Sequence, residues 1–309
     1  MKAVFLDAET IGPDVSLTPI ETVVDSLTCW PYTPEALVHE RIADMDIVIT
    51  NKVKLDKATI SQAGQLKLIC VAATGMNNVD LNAAEQRGIP VKNVADYAAK
   101  SVAQHCWSLM LALTNHLGAY QHDVASGRWS AHNSFCLNHH DISELYGKTL
   151  GIIGYGAIAK EVEKIANAFD MNIAIANRVN QPAQEGRVPL HELLKVSDIV
   201  SVHCPLTDET HHLIGAAELQ LMKPDALIIN TARGGIIHET DLVKAIDQGV
   251  IGGAGIDVLT QEPPGNKHPL LTFKHSRLIV TPHCAWASQQ ARTVLVRQLA
   301  NHIQKHRHQ

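Results

Sequence analysis

Two doubly wound parallel α/β domains are the fold class that this 309-residue sequence predicts, and three observations predict it. Short Val/Ile/Leu-rich runs alternate with helical patterns along the chain, the order that builds a parallel sheet with helices on its faces. The runs are apolar at both parities, as strands covered on both faces must be. A long helical pattern near 98–120 separates three runs from six, and the chain length suggests two domains on the ~150-residue prior.

The elements follow in order. The runs "VFLD" (4–7), "DIVIT" (46–50) and "KLICVA" (67–72) give three strands to the first domain. The long helix, Ala98–Tyr120, rests on Val102, Cys106, Leu109, Leu113 and Leu117 at three- and four-residue steps, with Asp96 and Ser101 as candidate starts. The segment 126–146, "SGRWSAHNSFCLNHHDISELY", has no period and reads as a long loop, a feature usually tied to function or to contacts between subunits. Six strands follow: "TLGIIG" (149–154), "NIAIA" (172–176), "DIVSVH" (198–203), "ALIINT" (226–231), "VIGGAGIDV" (250–258) and "RLIVTP" (277–282). The last pattern, 287–306, is an amphipathic helix after a Pro-His turn, and it could return to the first domain.

Composition removes whole classes of function. With 46% hydrophobic and 18% charged residues and a net charge of -5, the chain lacks the basic balance of a nucleic-acid binder. No apolar run approaches the ~18 residues of a membrane span, and "MKAVFLDAE" reads as a strand rather than a signal peptide, so a cytoplasmic protein is expected. Six scattered cysteines fit a reducing compartment, and none has metal-site spacing. Among the 18 histidines, His302, His306 and His308 read as a solvated helix end. The adjacent pairs His139-His140 and His211-His212 read as surface loop residues with diverging side chains, and no metal is expected.

The stretch "LGIIGYGAIAKEV" places Gly151, Gly154 and Gly156 at the end of a strand and Ala159 inside the next helix, which fits a dinucleotide fingerprint. Gly154 suits the tight turn, Gly156 lets backbone approach a pyrophosphate, and Ala159 keeps helix and strand close. The second strand of that unit ends on Asn177 and Arg178, where a carboxylate ordinarily takes the adenosine ribose and repels a 2′-phosphate. Asn177 can still bond a ribose hydroxyl, while Arg178 can pair with a phosphate through its fork of donors. NADPH is therefore expected to be accepted; alternatively Arg178 points to solvent or stacks on adenine and NAD(H) is used. Three further stretches, "NTARGG" (230–235), "GIDVLTQEPP" (255–264) and "TPHCAWAS" (281–288), each begin where a strand ends, so Arg233, Glu262 and His283 could converge on one cleft.

On these stretches, together with "ATGMNNVDL" (73–81), "SVAQH" (101–105) and "HCPLTDETHHLI" (203–214), the chain resembles the D-isomer-specific 2-hydroxyacid dehydrogenases over nearly its whole length. The resemblance implies a Rossmann cofactor domain at 99–286 and a smaller flavodoxin-like, substrate-binding lid domain at 1–98 plus 287–309. It implies a catalytic trio of Arg233, Glu262 and His283, with hydride passing between nicotinamide C4 and substrate C2. The residue types suit that chemistry. Ketone reduction makes an alkoxide that an imidazolium protonates, a neighbouring carboxylate stabilises the charged ring, and an arginine fork holds a carboxylate and polarises a carbonyl.

The resemblance further implies cofactor contacts at Ser101, Val102, Ala157, Ile158, Cys204, Pro205, Thr210, Thr231, Ala232 and Asp257, beside Gly154, Gly156, Asn177 and Arg178. Backbone amides around Thr74 and Gly75 would meet the substrate carboxylate, and a homodimer through the cofactor domain would give the 126–146 loop a task. The chain departs from the family's pattern at Asn177, at Ala159 and Ala285 for glycine, and at Asn77 for aspartate; only Asn177 bears on a functional choice. "TNK" (50–52) and "PHCAWAS" (282–288) look most like the glycerate dehydrogenase, or hydroxypyruvate reductase, branch. Lys52 could bond a distal hydroxyl or be a solvated cation; Trp286 could narrow the pocket or be packing. Another 2-hydroxy acid, D-lactate-like or bulkier, and a dinucleotide-sensing corepressor-like role are the alternative readings.

Overall fold

Residues 1–308 are described by a computed structural model, and they form two compact units: Met1–Ala98 with the chain from Ala287 onward, and Ala99–Trp286. Each holds one wholly parallel sheet among the described residues.

In the first unit the strands β1 (Lys2–Phe5), β2 (Ser26–Cys29), β3 (Ile47–Thr50), β4 (Leu68–Val71) and β5 (Val91–Asn93) lie in the order β2-β1-β3-β4-β5. Five strands stand where the sequence predicts three. The two that escape prediction are the sheet edges, whose exposed and half-buried side chains carry no apolar run, whereas β3 and β4 are buried at every position. Val4, Val48, Ile69 and Val71 pack against Val38, Ile42, Ile60 and Ala83 from the covering helices. The terminal helix, Gln289–Arg307, belongs to this unit, and Arg292 grips Asp14 with two bonds of 2.6 and 2.9 Å. Within that helix His302 is not the solvated end the sequence suggests, since its Nε2 bonds the Asn93 carbonyl at the sheet edge, 3.0 Å away.

The second unit contains β6 (Thr149–Ile153), β7 (Asn172–Ile175), β8 (Ile199–Val202), β9 (Leu227–Asn230), β10 (Gly253–Ile256) and β11 (Leu278–Val280), ordered β11-β10-β9-β8-β6-β7. The strand order reverses at β6, so its carboxyl end faces a crevice of the kind that binds ligands in open α/β sheets. The helix Ala99–Thr114 packs on this sheet, with Trp107 donating to the Val162 carbonyl at 3.1 Å and stacking on Phe169 at 5.0 Å. It is shorter than predicted. His116 takes a left-handed conformation (φ 49°), which breaks the pattern and starts a second helix at Leu117–Ala125. The segment 126–146 has no helix or strand and exposes Trp129, Phe135, Ile142 and Tyr146.

The adjacent histidine pairs do not diverge. His139 and His140 fold back on the helix Leu117–Ala125, their ring centroids 4.5 Å apart and each Nε2 2.9 Å from Asp123 Oδ2. His211 and His212 lie 3.8 Å apart, brought together by the left-handed backbone of His212 (φ 52°). Among the described residues, no helix is long and apolar enough to cross a membrane.

Candidate active site

The carboxyl ends of the second sheet gather the candidate residues on one edge, because all six strands run the same way. At the end of β6 the chain turns at Gly154 (φ 86°) into the helix Ala157–Ala168. A Cβ on Gly154 would lie 2.5 Å from the Cys204 amide nitrogen, so glycine alone lets the loops after β6 and β8 meet. Gly156 faces open space instead: a Cβ there would meet nothing within 4 Å, and no side chain caps the helix start. Free amides, a helix dipole and room at the backbone suit a pyrophosphate. The buried Ala159 seats the helix on the sheet, and Ala157 and Ile158 form its first turn.

After β7, Asn177 is half-buried and Arg178 exposed. The Asn177 side-chain oxygen accepts from the Gln184 amide at 3.1 Å, closing the following loop and leaving the Asn177 amide group as a donor. Arg178 has no side-chain hydrogen bond or ion pair among the described residues. After β8, Cys204 is buried, and Thr210 spends its hydroxyl on the Pro205 carbonyl (2.6 Å) and the Thr207 amide (2.8 Å), folding the loop.

The ends of β9, β10 and β11 carry the chemistry. Asn230, 2% exposed, accepts from the Ala232 amide (3.0 Å) and donates to the Arg233 carbonyl (2.9 Å), which fixes the turn that presents Arg233. The Arg233 side chain is exposed and donates to the Ala232 carbonyl at 2.7 Å. Thr231 lies 2.9 Å from the Cys106 thiol, which burial pushes up to about 12 and so keeps protonated. A Cβ on Gly234 would sit 2.0 Å from Leu259 backbone, so this turn and the one after β10 are pressed together.

There Glu262 accepts from the Leu259 amide at 2.8 Å through one oxygen and meets His283 Nδ1 at 2.6 Å through the other. This bond fixes the ring, leaving Nε2 for proton transfer. His283 is left-handed (φ 52°), held by its amide's bonds to the Asp257 and Thr281 carbonyls at 2.8 and 3.0 Å. Non-glycine residues take that conformation when surroundings impose it.

Here they do. The Asp257 carboxylate, with no exposed side-chain surface, accepts from Thr281 Oγ1 (2.6 Å), the Cys284 amide (3.0 Å) and the Ala285 amide (2.9 Å). His105 Nε2 bonds Thr281 at 2.9 Å, Ser101 donates to the Ala285 carbonyl at 2.7 Å, and Trp286 Nε1 donates to the His283 carbonyl at 3.0 Å. Asp257, expected as a cofactor contact, has both carboxylate oxygens engaged within the turn and organises the display of His283.

The model of the D-isomer-specific 2-hydroxyacid dehydrogenase NAD-binding domain matches residues 107–285. The chain belongs to this family. The glycerate dehydrogenase of Methylorubrum extorquens is 41% identical over 305 residues, 98% of this chain and 95% of that protein. The hydroxypyruvate reductase of Blautia hydrogenotrophica is 35% identical over 315 residues, 99% and 96% of the two chains. A solved acyclic imino acid reductase in complex with NADPH and D-Arg has a TM-score of 0.82 at 31% identity, covering 97% of this chain and 94% of that one.

Of the trio that resemblance to this 2-hydroxyacid dehydrogenase family suggests, the structure joins His283 and Glu262 directly and sets Arg233 on the adjoining strand end. Val102 is buried in the long helix. In the first unit, Lys52 follows β3 and Thr74 follows β4. The Lys52 amide bonds the buried Asp7 carboxylate (2.6 Å), which also takes the Asn51 amide (2.8 Å), while Thr74 Oγ1 donates to the Val94 carbonyl (3.0 Å). Burial pushes the Asp7 carboxyl up, against the pull of those amides. Sequence reasoning missed Asn230, His105 and Asp7; the signal available for Asn230 and Asp7 was a polar residue at or just past the end of a buried strand, whereas His105 lies within the helix Ala99–Thr114.

Three outcomes follow from this geometry. Gly154→Ala places a Cβ against backbone at positive φ and is expected to lower stability by about 1–3 kcal/mol and abolish NADH binding, read by denaturation and fluorescence titration. Asp257→Asn turns an amide N–H toward backbone N–H donors and should cost about 1–3 kcal/mol in urea unfolding; an unchanged midpoint would remove its organising role. Burial pushes His203 down to about 4, from 6.5 in the open chain. Above the higher value nothing changes, but between the two the unfolded chain takes up a proton the native ring refuses. Stability should fall toward acid by up to about 1.4 kcal/mol per pH unit in that window, and His203→Gln should lose this component.

Proposed function

We propose that this protein transfers hydride between NAD(P)H and a small 2-keto acid, giving a D-2-hydroxy acid, with hydroxypyruvate or glyoxylate as substrate. The observation that carries the reading is the 2.6 Å bond between His283 Nδ1 and Glu262 at the carboxyl edge of a sheet whose β6 loop suits a dinucleotide. The relatives' names, glycerate dehydrogenase and hydroxypyruvate reductase, support the substrate class.

When bound, the nicotinamide supplies the hydride that reduces the carbonyl carbon. The residues of this chain do the rest. His283 Nε2 gives its proton to the oxygen as negative charge develops there and takes it back in the reverse direction. Glu262 holds the ring in the required tautomer and balances the imidazolium charge. Arg233 pairs with the substrate carboxylate and polarises the carbonyl. From the first unit, Thr74 and Gly75 are assigned to the carboxylate by resemblance, and Lys52 to a distal hydroxyl. Trp286 is assigned to limiting substrate size, a role favoured by its indole bond to the His283 carbonyl, which ties it to the catalytic turn.

NADPH is assigned as an accepted cofactor, supported by the donor left on Asn177 and by the exposed Arg178 beside it, unpaired among the described residues. The exposed apolar side chains of 126–146 support a homodimer formed through this unit, and the composition supports a cytoplasmic location.

Specificity constants for hydroxypyruvate, glyoxylate, pyruvate and a bulky 2-keto acid, each with NADH and NADPH, test the substrate and cofactor assignments. Hydroxypyruvate or glyoxylate should lead, and Arg178→Ala should weaken NADPH about tenfold while leaving NADH little changed. A lead by the bulky acid would overturn the substrate class, and an equal effect on both cofactors would overturn the phosphate role of Arg178.

A further inference from the structure

The helix Leu117–Ala125 and the loop behind it build a second cluster that the reductase reading does not use. Asp123 is 2% exposed, yet its Oδ2 receives two imidazoles, His139 Nε2 and His140 Nε2, each at 2.9 Å. The three ligand-type atoms lie within 4.8 Å of one another. Aromatic packing and backbone bonds fix the rings. Tyr120, one turn before Asp123, meets His140 edge-on at 4.7 Å and His139 at 6.0 Å, and its hydroxyl donates to the His140 carbonyl at 3.1 Å. His116 stacks on His140 with ring centroids 5.5 Å apart. Adjacent histidines ordinarily point apart; here both spend the same ring nitrogen on one buried oxygen.

We propose that Asp123, His139 and His140 form a binding site for a divalent late transition metal, with Zn2+ as the natural probe, which clamps the 126–146 loop to the helix behind it. Two imidazole nitrogens and one carboxylate oxygen are a borderline donor set, suited to Zn2+, Ni2+ or Cu2+, whereas Ca2+ and Mg2+ want oxygen cages. Three protein ligands leave a fourth position for water. Arg128 sits on Asp123 Oδ1 at 3.0 Å, the oxygen the histidines do not use. It also lies 3.4 Å from His139 Nε2 and, being 59% exposed, turns to water when that nitrogen takes the ion. The ion takes the Nε2 lone pair of each neutral ring, whose proton passes through water to Nδ1, so no oxidant or co-reactant is needed. Among the described residues the other cluster with ligand-type atoms this close, His105 of the helix Ala99–Thr114 with Asp257 and Cys284, backs the turn that carries His283.

The test is a Zn2+ titration of the full chain after chelator treatment, followed by calorimetry and thermal midpoint, comparing the wild type with His139→Gln, His140→Gln and a control with His306→Ala and His308→Ala. The expected result is one equivalent bound with a raised midpoint, weakened roughly tenfold or more by either glutamine and untouched by the control. Absence of stoichiometric binding overturns the proposal, as does binding that survives both glutamines or is lost with the control pair. Co2+ absorption of the unmodified chain provides a readout that needs no substitution. Intense four-coordinate bands are expected, and a weak six-coordinate spectrum contradicts the site.

Discussion

One buried carboxylate underlies the arrangement of the catalytic edge. Asp257 is closed off from solvent, and a desolvated carboxylate is tolerable only when donors surround it. The donors it finds are the hydroxyl of Thr281 and the amides of Cys284 and Ala285, all in the five-residue turn after β11. Satisfying that charge bends the turn tightly enough to force His283 into a left-handed conformation. From there the imidazole reaches Glu262, 21 positions earlier in sequence yet 2.6 Å distant in space. A requirement of folding and a requirement of proton transfer are met by the same bonds.

The rest of the edge repeats this logic with backbone in place of charge. Glycines at 154 and 234 remove the side chains that would hold neighbouring loops apart, so the ends of β6 and β8, and of β9 and β10, close on each other. Asn230 does for the Arg233 turn what Asp257 does for the His283 turn, with an amide satisfying one donor and one acceptor. Because the strands are parallel and the order reverses at β6, these turns accumulate on one side of the sheet beside the uncapped helix start. Precision at the reacting groups comes from buried polar groups behind them.

Much of this was legible in the sequence. Parallel strands announce themselves as apolar runs, so β1, β3, β4 and the six strands of the second sheet were readable, its half-buried edges β7 and β11 included, while β2 and β5, which carry polar residues at the edges of the first sheet, were not. The long helix was readable from its period, but its break at His116 depends on a single left-handed residue that no period reveals. The glycine loop and the residue types at 233, 262 and 283 were visible because motif and strand end coincide. The pairing of Asp257 with the 281–285 turn was not, since it joins residues more than twenty positions apart through backbone amides that carry no sequence signature. The convergence of His139 and His140 carries no sequence signal for a related reason: local geometry favours divergence, and the buried Asp123 supplies the attraction that overrides it.

The most direct test of the account is a single-turnover measurement of hydroxypyruvate reduction by the wild type and by His283→Gln, with cofactor binding followed in the same samples. If His283 supplies the proton, the variant binds cofactor with unchanged affinity while its chemical step slows by about two to four orders of magnitude. A chemical step of wild-type speed in the variant would contradict the assignment of His283 as the proton donor.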